Sequence, residues 1–216
     1  MRSSSFYLSS SLRASAALGS GGLRILLESI PSNGEFLQQF IDAMKSNVRV
    51  RIQYKKYGSD EVTTKVVDPY CVKLFKRRWY AQVKNLYRGT LYVLAFDRII
   101  SLELTDHHFD IDQDYDAAPY FDDCIGIFKN PEVPLTRIVF RAYGREVFYQ
   151  RDLPFHHSQK EILTAEDYSD FELWLRPTNE LYTPLLSRGC NIQVLEPQWL
   201  VEEIKSQIDI MGARYK

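Results

Sequence analysis

The hydrophobic and polar positions of the chain follow a helical period first and an alternating period next. In segment 33–45 the spacing of apolar residues predicts an amphipathic helix with one face formed by Phe36, Leu37, Phe40, Ile41 and Met44. Ser32 or Asn33 is available to cap its start. From Val48 to Lys55 apolar and polar residues alternate, which predicts a half-buried strand with one basic, solvated face.

Short strand candidates follow this first strand, and small turns separate them. They span residues 62–67, 70–75, 78–85, 90–96 and 99–104. A helix followed by several short strands in so compact a stretch predicts a small, strongly bent antiparallel barrel.

The remainder of the chain changes its pattern twice. Residues 105–120 form an acidic connector, residues 120–128 a short helix, and the proline-rich linker 130–134 marks the predicted domain boundary. Beyond it the order of elements is β-α-β-β-α-β, which is typical of a ferredoxin-like split βαβ unit. The predicted elements are strand 135–142, helix 144–151, strands 159–164 and 169–176, a helix from Thr178 to Gly189, strand 191–196 and an amphipathic helix after Pro197.

The composition mainly shows which classes of protein have no support in this sequence. The 216 residues are 45% hydrophobic and carry a net charge of -1, so overall charge gives no argument for nucleic-acid binding. No apolar run is long enough to span a membrane. The cysteines Cys71, Cys124 and Cys190 show no metal-ligand spacing, which favours a reducing compartment and hence the cytoplasm.

Two stretches resemble the WYL domain family, and two more resemble its C-terminal extension. Segment 68–81, which contains Trp79-Tyr80-Ala81, resembles the defining pair of strands, although alanine replaces the leucine of the family's Trp-Tyr-Leu. Asp97-Arg98-Ile99 resembles the aspartate-arginine-isoleucine ending of a later strand. Segments 155–159 and 194–197 resemble the extension that follows many WYL domains.

The resemblance implies an α+β protein with two domains. Residues 34–130 would form the WYL domain, a small SH3/Sm-like β-barrel, and residues 131–216 a ferredoxin-like α/β extension. Residues 1–33 would be the remnant of a connector to a missing winged helix-turn-helix. Taken alone, the arginines and serines of residues 1–27 are typical of a transit peptide, but the resemblance favours the connector.

Segment 73–84 is the main candidate for chemistry, because basic and aromatic residues are interleaved and no acid is present. Basic groups contact phosphates, and aromatic rings offer faces on which bases stack. In a strand, Lys76, Arg78 and Tyr80 would share one face and Arg77 and Trp79 the other. The alternative is a solvated hairpin tip with Trp79 in the core.

The resemblance implies a ligand face drawn from Tyr70, Tyr80 and Arg98, with Lys73 and Arg78 as weaker candidates. Arginine suits this role because its planar fork pairs with phosphate through two hydrogen bonds. Tyr92 stands where the family often has a second arginine. Alternatively, Arg98 pairs with Asp97, Asp68 or a backbone carbonyl.

Neither a metal site nor a catalytic group is expected. The aspartates of segment 110–116 do not fit a calcium loop, since Tyr115 and Phe121 stand where glycine and glutamate are needed. The adjacent His156 and His157 would point apart in a strand, and no nucleophile elbow surrounds Ser158. The sequence therefore predicts neither an enzyme nor a cofactor, although a hydrolase using the histidine pair stays a minor alternative.

These observations predict the effector-binding module of a bacterial WYL-family transcription regulator. It would form a homodimer and sense a single-stranded nucleic acid or nucleotide-like ligand. Duplex DNA would be contacted only through the missing winged helix-turn-helix, and no membrane is involved. The alternative, motivated by Ala81 and Tyr92, is a protein-interaction or dimerisation module that has lost ligand sensing.

Overall fold

The described residues fall into two compact units, which divide between Ala117 and Ala118. The computed structural model describes residues 34–216. The predicted connector 1–33, with the Ser32 or Asn33 helix cap, lies outside the described residues. Gly34 is the residue that precedes the first described helix.

The first unit packs one helix against a five-stranded antiparallel sheet. The strand order is β4-β3-β2-β1-β5, so the last strand returns to pair with the first. Its elements are α1 (Glu35–Lys45), β1 (Val48–Lys55), β2 (Val62–Phe75), β3 (Arg78–Asn85), β4 (Leu91–Ala95), a 3-10 turn (Phe96–Arg98) and β5 (Ile99–His108).

The predicted periodicities of α1 and β1 are confirmed. Phe36, Leu37 and Phe40 are buried on one side of α1, and the Phe40 ring stacks on Phe96 with 4.9 Å between centroids. Along β1 the apolar side chains are buried and the alternate polar ones face outward. Burial of these apolar side chains supplies the main driving force for this core.

The sheet of the first unit differs from the prediction in three respects. β2 is one continuous strand with a bulge between Pro69 and Cys71, where two strands were predicted. β5 runs on to His108, into the predicted acidic connector. Within the described residues β4 and β5 do not pair, so the hydrogen-bonded sheet is open, whereas the sequence predicted a small, strongly bent antiparallel barrel.

Lys76 and Arg77 form the two-residue turn between β2 and β3. Their φ angles are 45° and 64°, in the left-handed region that favours glycine and asparagine. The turn lies in the gap between the predicted strands 70–75 and 78–85, so the alternation expected of these two residues in a strand does not apply. The sequence lacks the Asn-Gly signal by which such turns are recognised.

The second unit has a four-stranded antiparallel sheet in the order β7-β8-β6-β9. The order of its helices and strands is the one predicted. Starting at the division between the units, the elements are α2 (Ala117–Phe121), β6 (Thr136–Tyr143), α3 (Glu146–Asp152), β7 (Lys160–Thr164), β8 (Tyr168–Leu175), α4 (Asn179–Ser187), a 3-10 turn (Gly189–Asn191), β9 (Ile192–Glu196) and α5 (Gln198–Ala213).

The prediction of a helix over residues 120–128 is wrong, since α2 ends at Phe121. The backbone amides of Ile127 and Phe128 donate hydrogen bonds of 3.0 Å to the carboxylate of Glu180, and no helix satisfies them. Arg176 similarly bonds Asp123 at 2.6 Å. These contacts hold the segment before residue 130 within the second unit, which is why the division precedes the linker 130–134.

The core of the second unit lies between the sheet and the helices. Phe140 and Phe171 stack with 5.5 Å between ring centroids, and Leu181 and Leu200 bring α4 and α5 onto the same cluster. Among residues 34–216, no helix has both the length and the apolar character needed to cross a membrane.

Candidate ligand-binding cleft

Tyr57 joins three parts of the first unit. It lies in the turn after β1, and 66% of it is exposed. Its hydroxyl donates a hydrogen bond to the carboxylate of Asp97. The Nη2 of Arg78 donates to the same hydroxyl at 2.9 Å and also pairs with Asp97. The β1–β2 turn, the start of β3 and the 3-10 turn therefore meet at one point.

Arg98 lies on the face of the Tyr57 ring, with its guanidinium carbon 3.9 Å from the ring centroid. The described residues give Arg98 no carboxylate partner, because Asp97 pairs with Arg78 and Asp68 pairs with Arg49 at 2.8 Å. The Nε of Arg98 is buried and has no hydrogen-bond partner within this part of the chain. Cation–π stacking therefore positions a guanidinium whose charge is not neutralised locally.

Arg78 and Asp97 stabilise each other's charge. Burial disfavours the charged form of Asp97, but hydrogen bonds from Tyr57 and Arg78 outweigh it, so the pKa of Asp97 lies below its ordinary value. Burial also opposes the charge of Arg78, and the hydrogen bond to Asp97 outweighs that effect, which raises the pKa of Arg78. Both groups stay ionised at neutral pH and fix one side of the site.

A cleft of about 560 Å³ opens beside this cluster. Its walls are the β1–β2 turn and the 3-10 turn with the start of β5, and they include Lys55, Lys56, Tyr57 and Arg98. Lys55 pairs with Asp60 at 2.9 Å, whereas Lys56 has no acidic partner in the described residues. Asp60 and Asp97 also line the cleft, and they pair with Lys55 and Arg78. The cations left over, together with the aromatic wall, suit a phosphate-bearing ligand.

Four of the five predicted ligand residues lie at or beside the cluster around Tyr57. Arg98 stacks on the Tyr57 ring, and Arg78 lies 5.8 Å from the ring centroid of Tyr80 and 5.9 Å from that of Tyr57. Lys73 is the cross-strand partner of Tyr80 and so lies at the edge of the cluster. Of these four, Arg98 lines the cleft.

Tyr70 belongs to a different cluster. Its ring stacks on Phe109 at 6.0 Å and meets Tyr115 edge-on at 4.8 Å, and the residue is only 5% exposed. Lys84 lies beside it and binds Asp112. The structure therefore does not place Tyr70 on an open ligand face.

Tyr92 does not supply a polar group in place of the family's second arginine. Its ring packs against the hydrophobic core of the first unit. Burial, with a smaller contribution from Tyr54, raises the pKa of Tyr92 to about 12. Trp79 packs on the same core, as the structural alternative for segment 73–84 predicts.

Sequence reasoning missed Tyr57 and Lys56. The local signal was present, because an aromatic residue follows two lysines at a turn. Its meaning depends on which turns meet across the sheet, and that depends on strand order. Asp97 was considered only as a partner for Arg98, whereas it binds Arg78.

The histidine pair lies in the loop before β7. The rings of His156 and His157 are 4.1 Å apart, because the pair lies in a loop and the opposite directions expected in a strand do not apply. The hydroxyl of Ser158 donates to the carbonyl of Trp174 at 3.0 Å and contacts His156 at 2.7 Å. Burial, and then the neighbouring His157, lower the pKa of His156. These contacts join the loop to β8 and leave the hydroxyl engaged with the backbone.

Within residues 34–216, no three His, Cys, Asp or Glu side chains come close enough together to hold a metal ion. In the acidic segment, Asp112 instead binds Lys84.

Comparison with known families identifies the part of the chain that holds the cleft. Residues 35–104 match the family described as WYL domain. This segment is similar to the WYL domain family, and it carries Tyr57, Arg78 and Arg98. Comparison with curated proteins gave no match.

Two solved structures are similar to the chain. Proteasome accessory factor B/C (PafBC) of Arthrobacter aurescens has a TM-score of 0.39 and 17% sequence identity, over 93% of this chain and 31% of that one. A CRISPR Cas-related protein has a TM-score of 0.46 and 12% identity, over 84% of this chain and 50% of that one. The chain thus spans about a third of the first protein and half of the second.

Proposed function

We propose that the chain is the effector-binding regulatory module of a WYL-type transcription regulator and that its ligand is a single-stranded nucleic acid or a nucleotide-like molecule. The observation that carries this proposal is the position of Arg98, which is stacked on Tyr57 at the cleft without a carboxylate partner in the described residues. A guanidinium held in one plane by a ring loses little freedom on binding, so it is well prepared to pair with a phosphate.

The neighbouring residues would extend this contact. Lys56 adds a second cation at the cleft, while Tyr80 offers a ring beside Arg78. Stacking of a base on an aromatic ring contributes about 1–3 kcal/mol per base. Phosphate contacts weaken with rising salt, so the proposal includes a strongly salt-dependent affinity.

The proposed function includes a finer description of the fold. The first unit would be a small SH3/Sm-like barrel, supported by the return of β5 to β1 and by the contact of Tyr57 with Asp97 across the sheet. The second unit would be the ferredoxin-like extension, supported by its βαββαβ order and its strand order. The protein would have no catalytic role.

Regulation would follow from a preference of the ligand for one arrangement of a homodimer. A ligand shifts such an equilibrium only by the difference between its affinities for the two arrangements. In full-length relatives, winged helices would transmit that change to duplex DNA.

Fluorescence anisotropy with short labelled single-stranded DNA and RNA tests the proposal. Arg98→Ala should weaken binding at low salt by about tenfold, since hydrogen bonds to a charged group contribute about 1.5–3 kcal/mol. Arg88→Ala is the matched control, because it removes an exposed arginine from the turn between β3 and β4. No binding at low salt, or equal binding by Arg98→Ala and Arg88→Ala, would contradict the proposed site.

One observation favours a protein-interaction module as a second candidate. The C-terminal half of α5 exposes Ile208 and Met211, each about half accessible, on the face that continues from the buried Leu200. An exposed apolar stripe of this kind is typical of a contact surface. Ile208→Glu should then abolish capture of a specific partner or self-association, while oligonucleotide binding stays absent in the unmodified protein.

A further inference from the structure

One face of β3 forms a polar track that starts at the cleft. Arg78, Tyr80, Gln82 and Lys84 alternate with Trp79, Ala81 and Val83, and the second group faces the core. Arg78 and Tyr80 lie at the cleft end. At the other end, Gln82 and Lys84 lie beneath residues 109–115, which we call the acidic strap.

Side chains at both ends and in the middle hold the strap against the track. Phe109 stacks on Tyr70, and its amide donates to the carbonyl of Asn47 at 2.9 Å. Both carboxylate oxygens of Asp112 accept from the ammonium of Lys84, at 2.6 and 2.9 Å. The hydroxyl of Tyr115 donates to the side-chain oxygen of Gln82.

The strap covers a polar group that it does not satisfy. Gln82 is 1% exposed, and its side-chain nitrogen has no hydrogen-bond partner within the described residues. The Tyr70 hydroxyl, 5% exposed as a residue, instead interacts with Lys84 and Asp112. Buried polar groups are normally paired, so the unpaired nitrogen of Gln82 destabilises the covered state.

The contact between Asp112 and Lys84 has the chemistry of a phosphate contact. Two anionic oxygens approach one ammonium, and the hydrogen bond to Asp112 raises the pKa of Lys84. The Asp112 side chain is 54% exposed, so the pair is open to solvent and to competing anions. A ligand that presents several phosphates can displace it.

We propose that the acidic strap is a displaceable cover over a second phosphate subsite, formed by Lys84 with Tyr70 and Gln82, and that Asp112 occupies the place of the phosphate. This inference rests on the proposed binding of nucleic acid at Arg98. Arg78 and Lys84 are six residues apart on β3, which corresponds to roughly 20 Å in an extended strand. A single nucleotide reaches only the cleft, whereas a single-stranded oligonucleotide reaches both subsites.

Anisotropy measurements with two probes test the strap. The probes are a labelled oligo-dT long enough to follow the track and a fluorescent nucleoside triphosphate. Asp112→Asn should bind the oligo-dT about two- to fivefold more tightly than the unmodified chain, and the triphosphate equally well. Asp110→Asn is the matched control, since it makes the same change of charge at a strap residue that does not contact Lys84.

Hydrogen exchange supplies a second measurement. Addition of oligo-dT should speed exchange of the Phe109 and Tyr115 amides, which are hydrogen-bonded in the covered state. Equal affinities for Asp112→Asn and Asp110→Asn, or slower exchange in the strap with oligo-dT, would overturn the cover.

The two proposals fail in different ways. One outcome is that Arg98→Ala binds both probes normally while Asp112→Asn still binds oligo-dT more tightly than Asp110→Asn. In that case the proposed site at Arg98 is wrong and the proposal for the strap is retained. If Arg98→Ala abolishes binding and the two aspartate variants have equal affinities for oligo-dT, only the proposal for the strap is wrong. If no variant binds oligo-dT, both proposals are overturned.

Discussion

Arg98 is stacked on Tyr57, with 3.9 Å between the guanidinium carbon and the ring centroid, although 41 residues separate them in the sequence. The same ring carries the hydroxyl that bonds Asp97 and accepts from Arg78. A change at Tyr57 therefore alters the setting of both arginines without removing either charge.

Tyr57→Ala should lower oligonucleotide affinity about fivefold, because the stacking that orients Arg98 contributes about 1 kcal/mol. Tyr57→Phe keeps the ring and should bind within about twofold of the unmodified chain. Anisotropy at fixed salt measures both. Tyr87→Ala is the control, since Tyr87 is fully exposed on another turn. Unchanged binding by Tyr57→Ala would show that the stack does not position Arg98 for the ligand.

The Lys76-Arg77 turn should be easy to stabilise. Replacement by Asn-Gly relieves two left-handed non-glycine residues and should raise the free energy of unfolding by about 1–2 kcal/mol, measured by urea denaturation. A Gln-Gln variant loses the same two charges and keeps the strain, so it should show no such gain.

The binding data on these two turn variants separate charge from shape. If the Asn-Gly and Gln-Gln variants lose oligonucleotide affinity equally, the cations of the turn contribute to binding. The backbone strain is then the cost of placing these two cations at the turn. A stability of the Asn-Gly variant no higher than that of Gln-Gln would contradict the strain.

Local pattern was sufficient for α1 and β1, because their burial follows directly from residue spacing along one element. The same reasoning failed where a distant residue decides the conformation. Glu180 captures the amides after residue 126 and prevents the predicted helix there. No spacing rule within segment 120–128 contains that information.

The residues of the candidate site also differ in whether local sequence pattern could predict them. The interleaved charges and rings of segment 73–84 indicated Arg78 and Tyr80 as candidates, and the structure places these two residues as neighbours on one strand face. Tyr57 was missed because it reaches them only through the curvature of the sheet. Tyr70 was expected on the ligand face, but the strap covers it, and segment 109–115 gave no pattern beyond its acidity.

The free energy of unfolding should depend on pH in the acidic range because of the Glu161 carboxylate. Hydrogen bonds from Arg151, and then from Ser169, lower the pKa of Glu161 from 4.5 to about 2. A lowered pKa in the folded state gives stability that is present above the unfolded value and lost as pH falls towards the folded one. Glu161→Gln should therefore be less stable than the unmodified chain at pH 6, and the difference should shrink between about pH 4.5 and pH 2.

Urea unfolding at a series of pH values measures this difference. Glu166→Gln is the control, because that exposed carboxylate has no hydrogen-bond partner in the described part of the chain. A difference for Glu161→Gln that stays constant down to pH 2 would contradict the lowered pKa.

Gly126→Ala should destabilise the second unit by about 1–3 kcal/mol. A Cβ at this position would lie 2.6 Å from the carboxylate of Glu180, which must move and release the amides of Ile127 and Phe128. Chemical denaturation measures the loss. Gly212→Ala, where a Cβ meets no atom within 4 Å, should be neutral or slightly stabilising. Equal stability of both variants would show that Glu180 does not anchor this segment.

The 3-10 turn that carries Arg98 connects β4 to β5, the two strands that form the open edges of the sheet. No hydrogen bond of the sheet crosses between these edges in the described residues, so their separation can change without breaking a strand pair. Arg98 therefore lies on the connection between the two unpaired edges, so a ligand bound there would contact the segment that joins them.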